Sequence, residues 1–76
     1  MEETIQFIYQ VIREYKVNIG GQINDLFKPA RIAKQNPVIK NNFYKAISKL
    51  TNEGILEERE DNYFLTEFGF NIIYNQ

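Results

Sequence analysis

From Ile5 to Tyr15 the apolar residues Ile5, Phe7, Ile8, Tyr9, Val11, Ile12 and Tyr15 recur with helical spacing and cover about 200° of a helical wheel. Gly20-Gly21 breaks this pattern, and Gln22-Ile23 beyond it reads as a short strand or a loop. Leu26, Phe27, Ile32 and Ala33 are the next candidates for burial. Pro29 suits the first turn of a helix running to about Gln35, where a missing N–H costs nothing; a start near Asn24 is the alternative. Asn36-Pro37 ends this helix, because the residue before proline is pushed out of helical dihedrals.

The stretch from Asn41 to Asn52 has the cleanest two-sided pattern. Phe43, Ala46, Ile47 and Leu50 fall within about 100° of one another, and Asn41, Lys45, Ser48 and Asn52 lie opposite, flanked by Tyr44 and Lys49. Asn41 or Asn42 is the expected cap, and Gly54 the stop. Ile55 to Arg59 and Tyr63 to Thr66 then read as strands of a hairpin around Glu60-Asp61-Asn62, with Leu56, Tyr63 and Leu65 pointing inward. Thr66 can cap a last helix from Glu67 to Tyr74, whose Phe68, Phe70, Ile72, Ile73 and Tyr74 point nearly all round it. The expectation is an α+β fold, mainly helical, in a single domain over residues 1–76.

Charge sharpens this picture. The formal net charge of -1 conceals a basic centre between acidic ends. Lys16, Lys28, Arg31, Lys34, Lys40, Lys45 and Lys49 face only Asp25 in the middle of the chain, and no acid occurs from Lys28 to Asn52. Glu2, Glu3 and Glu14 outweigh Arg13 before it; Glu53, Glu57, Glu58, Glu60, Asp61 and Glu67 outweigh Arg59 after it. Such a segregated distribution suits a surface directed at an anion.

The stretch Phe43-Tyr44-Lys45-Ala46-Ile47-Ser48-Lys49-Leu50-Thr51-Asn52-Glu53-Gly54-Ile55-Leu56, followed by Tyr63-Phe64-Leu65-Thr66-Glu67-Phe68-Gly69, resembles the recognition helix and wing of winged helix-turn-helix regulators. PadR-like and MarR-like repressors carry a similar helix end (Y..L..L...GLI) and wing exit (Y.LT..G), and Arg31-Ile32-Ala33 resembles the ELA of their first turn helix. The likeness covers about 45 residues from Pro29 onward. It implies a three-helix core, a β-hairpin wing and a C-terminal helix. It also implies that a recognition helix over about residues 41–53 turns Asn41, Asn42, Tyr44, Lys45, Ser48 and Lys49 toward the major groove of double-stranded DNA. Asn suits adenine, Lys guanine or phosphate, and Ser several base edges. Arg31, Lys34 and Lys40, the last expected in the turn, would hold phosphates and set register. Arg59 is the only base on an otherwise acidic wing, where the resembling families offer several. Either the wing stands off the duplex with only Arg59 reaching it, or the domain is a protein-interaction module, such as an accessory protein of a mobile element.

The apolar width of the first helix and the almost chargeless last one suggest a homodimer through Ile5, Ile8, Ile12, Phe70, Ile73 and Tyr74, with a monomer whose helices pack on each other as the alternative. A chain this short removes only about 60% of its unfolded surface on folding, so a partner subunit would help. No Cys and no His are present, which removes thiolate nucleophiles, disulfides and the commonest metal ligands and general base. Gly20-Gly21 lacks the lysine and Ser/Thr of a phosphate loop, and the acidic hairpin lacks the spacing of a calcium loop. Neither an enzyme nor a cofactor, a metal or a small-molecule ligand is expected. No apolar run approaches about 18 residues and Met1-Glu2-Glu3 is acidic where a secretory signal would be basic, so the expectation is a cytoplasmic protein without a membrane partner.

Overall fold

The computed structural model describes residues 1–75. Its elements in order are α1 (Glu2–Glu14), a single 3₁₀ turn (Asn24–Leu26), α2 (Pro29–Ala33), α3 (Pro37–Asn52), β1 (Leu56–Arg59), β2 (Asn62–Leu65) and α4 (Glu67–Tyr74). The fold is α+β and mainly helical, and among the described residues no helix is long and apolar enough to cross a membrane.

The wide apolar stripe of α1 is covered within the chain. Helix α1 packs against both α3 and α4, so two neighbours occupy a stripe too broad for one. Of the side chains expected at a subunit interface, Ile5, Ile8, Ile12 and Ile73 belong to the protein's own core, and Phe70 and Tyr74 are half-buried against it. Each fully buried isoleucine contributes about 1.5–3 kcal/mol, which makes these side chains the core's main support. The Tyr74 hydroxyl fixes the end of α4 to the end of α1, lying 3.0 Å from the carbonyl oxygen of Ile12 and 2.8 Å from that of Val17. Burial pushes the Tyr74 phenol above its usual pKa, against a lowering by Arg13.

The segment Gly20 to Ile23 joins the glycine break to Gln22-Ile23, the pair with the strand-or-loop pattern. It runs along the outer edge of β2, with one bridge from Gln22 to Phe64 and backbone bonds from Gly20 N–H to the Leu65 carbonyl and from Ile23 N–H to the Tyr63 carbonyl. On the other edge β1 pairs with β2 antiparallel, Leu56 opposite Leu65 and Arg59 opposite Asn62. Asn62 is therefore strand rather than turn. Only Glu60 and Asp61 link the strands, and both have positive φ (52° and 65°), as a two-residue hairpin turn following the right-handed strand twist requires. Leu56 and Leu65 are buried as expected, whereas Tyr63 is half-buried and Ala33 exposed.

The end of α3 and the start of α4 meet at one node. Gly54, with φ of 82°, ends α3, the N–H of Ile55 returning to the Leu50 carbonyl and that of Gly54 to the Thr51 carbonyl. The Thr66 hydroxyl lies 2.6 Å from the Gly54 carbonyl oxygen and accepts from the Gly69 N–H at 2.9 Å, capping α4 while tying it to the strand start. Gly69 lies so close to Ile55 that a Cβ would run into the Ile55 carbonyl oxygen and approach Ile55 Cγ2 to 2.9 Å. Gly69→Ala is therefore expected to destabilise the fold by about 1–3 kcal/mol, read as a lowered midpoint in urea, whereas an alanine that fits without loss would contradict this packing.

Candidate nucleic-acid interface

Helix α3 begins earlier than its amphipathic pattern indicates. Asn36, not Asn41 or Asn42, is the cap: its side-chain oxygen accepts from the Ile39 N–H at 3.0 Å, and Pro37 takes the first helical position. Helix α2 stops at Ala33, short of the expected Gln35, and the Asn-Pro pair expected to end it starts α3 instead, because an extended residue before proline is also the geometry of a cap. The Asn36 amide also donates to Glu3 at 2.6 Å, and the Thr4 hydroxyl reaches the Val38 carbonyl, so the start of α3 is fixed to the start of α1. Lys40 consequently lies within α3 and not in the turn before it.

Ile39, Phe43, Ala46, Ile47 and Leu50 form the buried side of α3. The opposite side is open: Tyr44, Lys45, Ser48, Lys49, Asn52 and Glu53 line one shallow surface to which no other element contributes. Tyr44 is the most prominent of them at 72% exposure, its ring edge-on to Phe43 at 5.3 Å between centroids. Asn41, Lys45, Ser48 and Asn52 are all exposed, and with the helical rise of about 1.5 Å per residue the row from Asn41 to Asn52 is about 16 Å long.

The remaining candidates are partly occupied by the protein itself. Lys49 pairs with Glu53 at 2.8 Å; that hydrogen bond, together with the carboxylate's charge, raises the pKa of the ammonium. Asn42 is half-buried and its amide donates to the Val38 carbonyl at 2.8 Å. Arg31 is half-buried and donates to the Tyr15 hydroxyl, while Lys34 stands exposed just after α2. Arg59 pairs with Glu57 at 2.8 Å and lies 4.1 Å over the Phe64 ring, so its charge is engaged within the hairpin. Glu58, Glu60 and Asp61 are exposed beside it. The hairpin is acidic in three dimensions as in sequence.

Two residues join the set. Asn52 lies on the open surface with Lys45 and Ser48, and the helical wheel alone had already grouped them. Lys28 is exposed directly before α2, on the same side of the chain order as Arg31 and Lys34 but without a helical period to mark it. Among the described residues no group of three acidic, His or Cys side chains could hold a metal ion.

Because Asn36 both caps α3 and anchors it to α1, Asn36→Ala is expected to lower stability by about 0.5–2 kcal/mol, a fall of several degrees in melting temperature measured by circular dichroism; an unchanged midpoint would remove the cap's role. Comparison with known proteins leaves the geometry to stand alone: no family model, no curated protein and no solved structure matches the chain.

Proposed function

We propose that this chain is a winged helix-turn-helix domain that binds double-stranded DNA and acts as a transcriptional regulator, with α2 and α3 as the turn motif and α3 in the major groove. One observation carries the reading: the polar side of α3 is free of acid until Glu53, exposed, and covered by no other element among the described residues. A helix of this width suits a groove about 12 Å across. The order of elements agrees with a winged helix, including the segment Gly20 to Ile23 on the outer edge of β2. Lys34 ahead of α3 and Lys40 in its first turn serve as phosphate contacts, and Lys45 lies among the base-facing groups.

The acidic hairpin favours a version in which the wing stands off the duplex, since Glu57, Glu58, Glu60 and Asp61 would repel phosphates and Arg59 is paired. The same hairpin is the specific support for a second reading, a winged-helix module whose lysines dock an acidic protein surface. Symmetric pairing is not part of the proposal, because four of the side chains that suggested it, Ile5, Ile8, Ile12 and Ile73, lie in the chain's own core.

Titration of a mixed-sequence duplex by fluorescence anisotropy separates the two. DNA binding predicts retention at low salt with a shallow dependence, log K falling with log salt at a slope of about -2 to -4 for the few lysines available, and loss of binding in a folded Lys45→Glu variant. Absence of any retention by the folded protein at low salt would exclude DNA and leave the protein partner.

A further inference from the structure

Four exposed side chains, Asn41, Lys45, Ser48 and Asn52, follow one another at spacings of four, three and four residues, which places them in one line along α3. Their polar neighbours on the same helix are bonded to the protein: the Asn42 amide to the Val38 carbonyl, the Thr51 hydroxyl to the Ile47 carbonyl at 2.8 Å, and Lys49 to Glu53. Neither Asn41 nor Asn52 makes a side-chain hydrogen bond among the described residues, so both carboxamides are available to a ligand.

A carboxamide offers one acceptor and two donors in a plane. In the major groove only adenine presents the complementary pair, an acceptor at N7 beside a donor at N6. Guanine presents two acceptors, which Arg or Lys matches and the mixed acceptor and donors of a carboxamide do not; on this row that role falls to Lys45, not to either Asn. Cytosine presents a donor and calls for a carboxylate; the nearest, Glu53, is turned to Lys49. Ser48 accepts either kind of edge, and Tyr44 offers apolar ring surface beside the row for a thymine methyl group.

On the reading that α3 enters the major groove, we infer that Asn41 and Asn52 are the specificity-determining residues and that the preferred duplex carries two adenines no more than about five base pairs apart, the number spanned by about 16 Å at about 3.4 Å per step.

Selection from a random duplex pool, followed by anisotropy titration of the enriched sequence, tests this. The wild type is expected to enrich two adenines at that separation. Asn41→Ala is expected to lose the preference at one of them and Asn52→Ala at the other, each with an unchanged salt slope. Replacing either adenine by 7-deazaadenine, which removes N7 and leaves the protein untouched, is expected to weaken binding roughly 5- to 150-fold. Retention of duplex with no adenine preference, with guanine in place of both adenines, or with variants that shift neither position would overturn the inference while leaving DNA binding intact. Failure to retain any duplex at low salt would overturn it together with the reading on which it rests.

Discussion

In so short a chain the longest helix can be covered on one side only, and the structure follows from which side that is. Ile39, Phe43, Ala46, Ile47 and Leu50 put α3 onto α1 and β1, and the isoleucines of α1 and Ile73 of α4 complete that interior. Among the described residues no other element lies over Lys45, Ser48 and Asn52, and Asn41 is exposed beside them. Exposure of the opposite face is thus a result of core packing, with each buried aliphatic side chain supplying a driving force that surface charges, worth at most about 1 kcal/mol a pair, cannot match.

Chemistry is then distributed over a scaffold already fixed. Six of the bases fall on and around the two helices that precede the hairpin, and the hairpin itself carries four acids, Glu57, Glu58, Glu60 and Asp61, with Arg59 held by Glu57 and by the Phe64 ring. A duplex approaching along α3 would therefore meet attraction from Lys34, Lys40 and Lys45 and repulsion from the hairpin tip. The asymmetry orients an anionic partner without requiring every base to touch it.

Several features were legible in the residues alone: the amphipathic stripe of α3, the glycine stop at Gly54, the Thr66 cap and the two strands. Each depends on local spacing or on backbone chemistry that few residue types satisfy. The start of α3 was not, because Asn36-Pro37 satisfies the end of one helix and the beginning of the next equally well. Nor was the fate of the α1 stripe. An apolar width of about 200° is compatible with a partner subunit or with two helices of the same chain, and the contacts of α1 with α3 and α4, which cover most of it, are tertiary. In the site, the residue types on the open face could be read, but the pairing of Lys49, Asn42, Arg31 and Arg59 depends on side-chain geometry that one-dimensional spacing does not contain.

The central claim is that the uncovered face of α3 is where an anionic duplex lies. Backbone amide chemical shifts of the labelled protein, followed as a short mixed-sequence duplex is added at low salt, locate that contact directly. The account predicts that the largest changes fall on α3 at Asn41, Lys45, Ser48 and Asn52, with smaller ones near Lys34 and none at the tip formed by Glu60 and Asp61. Changes concentrated on the hairpin, or a spectrum unaltered at saturating duplex, would contradict it.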